Sequence, residues 1–222
     1  MIKAILFDMD NTLVDFMSMK KACCSAAIDA MISAGLDMKK SDALNLLFEI
    51  YDKYGIEYNR IFQEFLEKAT GKIDYKILAE GIVAYRKEQK RHMKTYDDVE
   101  PTLKKLKEMG FKLGIVSDAP SVNAWIRLLE LGIANFFDTV ITLDVSGELK
   151  PSSKPFTMAL EELGVKPEES IHVGDRPDRD VAGASALGIK TVYAMYGTFS
   201  VEKSNSDYVI NHFKEILEIV KT

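Results

Sequence analysis

From residue 101 onward the sequence alternates short apolar runs with amphipathic stretches, an order that few architectures accept. "KLGIVSD" (112–118), "FDTVITLD" (137–144), "SIHVGD" (170–175) and "KTVYAM" (190–195) read as strands. "PTLKKLKEMG" (101–110), "SVNAWIRLLELG" (121–132), "KPFTMALEELG" (154–164) and "DVAGASALG" (180–188) read as helices, and "DYVINHFKEILEIVK" (207–221) adds a last strand and helix. Strands that are apolar throughout and separated by helices imply a parallel sheet covered on both faces. Ligands of such sheets sit beyond the carboxyl ends of the strands, at a topological switch point. The residues that end strands are therefore the informative ones.

Residues 17 to 95 have a different texture, helical and nearly free of strand signals. "MKKACCSAAIDAMISAGL" (19–36) carries apolar residues at helical spacing up to Gly35. "KSDALNLLFEIYDKYG" (40–55) repeats the theme, with Ser41 or Asp42 as cap and Gly55 as stop. "YNRIFQEFLEKATG" (58–71) and "IDYKILAEGIVAYRKEQKRHM" (73–93) complete a four-helix unit inserted after the first strand. The expected division is 1–16 with 96–222 as the sheet domain and 17–95 as the helical insert. Linkers near 13–18 and 94–99 would let that insert open and close.

Composition narrows the function classes. With 47% hydrophobic and 28% charged residues the chain is neither disordered nor membrane-like, and no apolar run is long enough to span a bilayer. The net charge of −5 argues against a nucleic-acid binder, and the basic stretch "YRKEQKRHMK" (85–94) suits a solvated helical face. A strand begins almost at residue 1, which leaves no room for a signal peptide. The adjacent Cys23 and Cys24 offer neither a disulfide framework nor a zinc spacing, so buried neutral thiols are expected. These features point to the cytoplasm, with no nucleic-acid or membrane partner. A monomer is favoured over a homodimer because no extra apolar stripe is evident, and Trp125 reads as core.

Four strand ends carry reactive groups. "AILFDMDNTLVD" (4–15) ends its apolar run in Asp8 and Asp10, which a strand would point to the same side. Like charges that close repel and lose hydration, so a cation is the simplest compensation, although an acidic turn fits these twelve residues taken alone. "GIVSD" ends at Ser117 and Asp118, "GELKPSSKPF" brings Lys150 and Lys154, and "IHVGDRPDRD" ends at Asp175 with Asp178 and Asp180 beyond. If the strands are parallel, the groups converge on one edge as three or more carboxylates, a lysine and several hydroxyls. That is the outline of a Mg²⁺ and phosphate site, because hard oxygen ligands suit the metal.

In these four segments the chain resembles the haloacid dehalogenase-like (HAD) hydrolase superfamily, in the subfamily with a helical C1 cap and phosphoglycolate phosphatase-like members. "DMDNT" fits the family's DxDx[TV] pattern, with Asn11 where Gly is commoner; "VSD", Lys150 and "GDRPDRD" follow in order. Lys150 lies six residues before Phe156, the usual spacing for the third motif, which leaves Lys154 as a surface charge at a helix start. The resemblance implies an α/β fold, a Rossmann-like parallel sheet core with an inserted helical-bundle cap domain.

It also implies a Mg²⁺-dependent phosphatase acting on a small-molecule phosphate ester. Asp8 would be the nucleophile that forms an aspartyl-phosphate, and Asp10 the general acid and base. Asp8, Asp175 and the backbone carbonyl of Asp10 would hold the metal. Asn11, Thr12, Ser117, Asp118 and Lys150 would form the phosphate-binding set, with Asp180 in support. Phosphoglycolate and triose or sugar phosphates lead by family analogy.

Other readings differ at single residues. A haloacid dehalogenase would lack the second acid, Asp10. A phosphonatase would need a singled-out cap lysine, and Lys20, Lys21 and Lys53 are not distinguished by sequence. A sugar phosphomutase shares the core residues, while a receiver-like phosphate-binding protein lacks both the second acid and the helical insert. His92 and His212 read as surface or helix residues, and His172 as a packed core histidine.

Overall fold

Strand β1 (Ala4–Phe7) is buried along its whole length, and it lies at the centre of a parallel sheet. A computed structural model describes residues 1–198 and 203–221; Thr222, the end of the predicted sheet domain, lies outside them. The sheet has six strands in the order β3-β2-β1-β4-β5-β6, formed by β2 (Lys112–Val116), β3 (Thr139–Ile141), β4 (Ser170–Gly174), β5 (Lys190–Ala194) and β6 (Tyr208–Ile210). Every strand pair is parallel, which agrees with the predicted class. Phe7 sits opposite Ile115 on one side and Val173 on the other, so β2, β1 and β4 end level. The chain leaves β1 for β2 on one flank and reaches β4 on the opposite flank. This switch point opens the crevice beyond the strand ends.

The sheet's core follows from the apolar strands. Leu6, Val116 and Ile141 pack with Phe156, Leu160 and Leu163 of the helix Lys154–Leu163. Phe7 meets Phe213 at a ring-centroid distance of 5.4 Å. Fully burying such side chains contributes about 1.5–3 kcal/mol each.

The chain divides into two compact units, Met1–Asp15 with Lys94–Thr222, and Phe16–Met93. The second is built from α1 (Phe16–Ser33), α2 (Lys40–Tyr54), α3 (Ile61–Thr70) and α4 (Tyr75–His92). Its own core joins Cys24, Ile28, Met31, Leu47, Phe65 and Leu78. Asp74 caps α4 by accepting from the Lys76 and Ile77 amides, while Gly71 ends α3 in the left-handed conformation that glycine adopts without strain. Neither Ser41 nor Asp42 caps α2; that helix begins at Lys40, one residue before the expected cap. Cys23 and Cys24 are free and buried, and burial pushes their thiols up to about 12 and about 11. Lys20 is also buried here, its ammonium 4.6 Å from the Tyr51 ring centroid and 5.5 Å from that of Tyr85.

In the sheet unit, α5 (Val99–Glu108) precedes β2, and α6 (Ser121–Glu130) follows it. A one-turn helix that the sequence did not announce, α7 (Leu143–Ser146), shortens the third strand. α6 corrects another expectation. It buries Ala124, Arg127 and Leu128 and leaves Trp125 at 42% exposure, so Trp125 is not core. With Val122, Ile126 and Leu129 it forms an exposed apolar stripe, against the expectation that no such stripe exists. No helix among the described residues is long and apolar enough to cross a membrane.

Candidate active site

The level ends of β2, β1 and β4 set three loops side by side, and each loop delivers one part of a buried charge cluster. Asp8 follows β1 directly, and its amide donates to the Val173 carbonyl at 2.9 Å, extending the ladder by one residue. Lys150 arrives from the loop after α7. Its ammonium donates to Asp8 Oδ1 and Asp180 Oδ1 at 2.6 Å each, and to the Val116 carbonyl at 3.1 Å. Asp118 Oδ1 accepts the Lys150 amide at 2.9 Å, so this carboxylate anchors the lysine's own backbone. Asp118 Oδ2 lies 3.3 Å from Arg179 Nη1.

Asp175 follows β4, and the chain then winds through a wide turn, Pro177–Val181, that returns Asp180 beneath it. Asp180 Oδ2 accepts the Arg176 amide at 3.0 Å, and Oδ1 lies 3.1 Å from Nε2 of the buried His172. Gly174 leaves the space Asp180 needs, since a Cβ there would lie 2.3 Å from the Asp180 Cγ. His172 is a packed core histidine as expected, edge-on to Phe156 at 4.9 Å, and it also touches the site. His92 is a surface residue paired with Glu88.

The loop after β1 is built around Asn11, whose φ of 63° lies in the left-handed region. Asn tolerates that conformation better than other residues with a Cβ, because its short polar side chain bonds locally. The Asn11 amide donates to the Val14 carbonyl at 2.7 Å and tightens the turn. Thr12 is fully buried, and its hydroxyl makes no hydrogen bond among the described residues. Ser117 Oγ accepts the Ala119 amide at 3.2 Å. Lys154 is at the surface near Glu148, away from the carboxylates that surround Lys150.

Burial governs the electrostatics. It pushes the Asp8 carboxyl well above the ordinary carboxylate range, with the Lys150 ammonium opposing. Asp175 is pushed up to about 7, by burial first and then by the Asp180 charge. Asp180 goes the other way: burial would raise it, but Lys150 and the His172 hydrogen bond outweigh that and hold it down. Lys150 stays an ammonium because Asp180 and Asp8 more than offset its burial. Asp8, Asp175 and Asp180 each bring one carboxylate oxygen within 4.8 Å of the others. Three buried carboxylates so close need more positive charge than one lysine carries. Their all-oxygen donor set fits a hard divalent cation.

Sequence reading missed three residues here. Arg127 Nη1 donates to Asp10 Oδ2 at 2.7 Å from the buried face of α6. Tyr196 Oη donates to the Thr12 carbonyl at 2.7 Å. Gly197 passes so close to the first loop that a Cβ would lie 1.7 Å from the Asn11 carbonyl oxygen and 3.2 Å from the Asp175 Cβ. Tyr196 and Gly197 carried no sequence signal beyond an aromatic-glycine pair after a strand. Arg127 was hidden by the apolar residues on the other face of its helix.

The family model for haloacid dehalogenase-like hydrolases matches residues 2–188, and the chain belongs to that family. It is an enzyme of the phosphatase kind. It is 37% identical over 223 residues to the glyceraldehyde 3-phosphate phosphatase of Methanocaldococcus jannaschii, covering 100% of this chain and 98% of the relative. The glyceraldehyde 3-phosphate phosphatase of Methanopyrus kandleri is 39% identical over 228 residues, with the same coverage. The crystal structure of a HAD phosphatase from Thermococcus onnurineus superposes with a TM-score of 0.71 at 29% identity, covering 99% of this chain and 98% of that one.

Proposed function

We propose that this protein is a Mg²⁺-dependent phosphatase of the cytoplasm that hydrolyses a small phosphomonoester through an aspartyl-phosphate on Asp8. The observation that carries the reading is the buried cluster in which Lys150 touches Asp8 and Asp180 at 2.6 Å, with the Asp175 carboxylate beside them. Asp8, Asp175 and the backbone carbonyl of Asp10 would hold Mg²⁺. When bound, the ion neutralises charge between an anionic nucleophile and an anionic substrate.

The chain's own groups account for the two steps. An Asp8 carboxylate oxygen attacks phosphorus; the new O–P bond forms as the ester P–O bond breaks. Asp10 gives its proton to the departing alkoxide. Asp10 then takes a proton from water, which attacks the aspartyl-phosphate, releases inorganic phosphate and restores Asp8. The Lys150 ammonium, the Ser117 hydroxyl and the backbone amides around Asn11 stabilise the phosphoryl oxygens, while Thr12, Asp118 and Asp180 hold these groups in position. The helical unit acts as the cap that selects substrate. Because two relatives covering the whole chain are named for glyceraldehyde 3-phosphate, that triose phosphate is the first ester to assay.

The test is phosphate release from a panel of small phosphomonoesters, with Mg²⁺ and with chelator, for wild type and Asp8→Asn. Metal-dependent release lost in Asp8→Asn is expected. No release from any ester by folded protein would point to a phosphomutase that needs a bisphosphate activator or to a substrate outside the panel.

A further inference from the structure

α6 carries an arginine on the wrong face for a solvated charge. Arg127 shares the buried side of the helix with Ala124 and Leu128 and is only 5% exposed, while the apolar Val122, Trp125, Ile126 and Leu129 face outward. Removing a guanidinium from water costs several kcal/mol and persists only where a good acceptor meets it. One such acceptor is Asp10 Oδ2, at 2.7 Å, with both side chains largely shielded. We propose that Arg127 is a positioning residue for the reaction: it holds the Asp10 carboxylate by Oδ2 and so leaves Oδ1 as the oxygen that passes the proton to and from the reacting ester. This rests on the reading of Asp10 as general acid and base.

Two features support orientation over simple stapling of the fold. The Asp10 backbone is already tied by its own loop, through the Asn11–Val14 hydrogen bond and an isolated bridge between Asp10 and Val14. A guanidinium that never loses its proton is a constant anchor for the Asp10 side chain. A general acid works only within hydrogen-bond reach of the leaving oxygen, so a carboxylate that swings away is lost to the reaction.

The experiment compares phenyl phosphate with p-nitrophenyl phosphate in the Mg²⁺-loaded enzyme. The two esters are nearly alike in shape, but phenolate needs protonation to leave and p-nitrophenolate does not. kcat/KM reports steps up to leaving-group release, so it isolates proton donation. Arg127→Met should lower kcat/KM on phenyl phosphate by about 10- to 100-fold, up to the lower end of the roughly 100- to 10,000-fold that a general acid contributes, because Asp10 is still present, and on p-nitrophenyl phosphate by less than about 3-fold. Asp10→Asn should show the same split, more strongly, and Arg127→Lys should recover part of the loss. Arg127→Gln keeps the stem and removes the charge, and it decides the matter if the Met variant does not fold. Equal losses on both esters, or none on either, would overturn the inference. If Asp10→Asn itself fails to split the esters, the general-acid reading falls, and the positioning role falls with it.

Discussion

At the scale of single residues, the site depends on charges that cannot be removed one at a time. Lys150 sits between Asp8 and Asp180, so Lys150→Met leaves two buried carboxylates without their cation. The expected cost is about 3–5 kcal/mol, together with loss of phosphate release, read by denaturant unfolding and by phosphate assay. Asn11 gives a contrasting case. Its left-handed backbone means that Asn11→Gly should be tolerated within a few tenths of a kcal/mol, while Asn11→Val should cost about 1–2 kcal/mol. The same melts would show both. Both effects follow from conformation and charge. The sequence alone showed Asn11 as a substitute for Gly, but not that the position requires φ above zero.

At the scale of elements, the closest approaches set the tolerances. The turn after β5 reaches the first loop through Gly197, and β4 reaches Asp180 through Gly174. Gly197→Ala pushes a methyl into the Asn11 carbonyl and should lower activity by at least tenfold while costing about 1–3 kcal/mol, the usual penalty of overpacking. The pairing of activity with thermal stability distinguishes this from a purely global effect. Asp138 offers a milder test at the start of β2, where it accepts the Leu113 amide at 2.8 Å and the Lys107 ammonium at 2.7 Å. Burial would raise its carboxyl, but these hydrogen bonds outweigh it and hold the group below the ordinary value. Its folded value is depressed, so its contribution is complete above the unfolded value of about 4 and is lost as pH falls through the folded one. Asp138→Asn should therefore flatten the acid limb of the stability curve, and by well under 1 kcal/mol given the exposure of the pair.

At the scale of the whole molecule, the carboxylate cluster couples folding to cation and pH. A cation that binds only the folded chain, at a hundred times its Kd, adds about 2.7 kcal/mol. For a chain of this size that raises Tm by roughly 5–10 °C. Chelator should remove the gain, and Asp175→Asn should abolish most of it, as differential scanning calorimetry can show. The pH sign follows from the same cluster. Asp175 and Asp8 are raised above their unfolded values, so the folded chain binds protons more tightly than the unfolded one. Without cation, stability then falls as pH rises from about 4 towards 7. Saturating Mg²⁺ should shrink or reverse that slope; an unchanged slope would show that the cluster holds no ion.

The parallel sheet and the four helices of the insert were legible because each rests on a local pattern: apolar strands, helical spacing and glycine stops. The carboxylates and Lys150 were legible because strand ends in such a sheet meet at one edge. The outward face of Trp125 was not, since α6 is apolar on both sides and only its neighbours decide which side is covered. Arg127 on Asp10, Tyr196 on the Thr12 carbonyl and Gly197 against Asn11 join segments separated by more than a hundred residues. Periodicity and motif spacing, which act along the chain, cannot reach contacts made across it. The sequence by itself determined the strand-ending chemistry and the class of sheet that gathers it. Only the tertiary structure decided which side chains hold those groups in register, because that depends on close packing between distant elements.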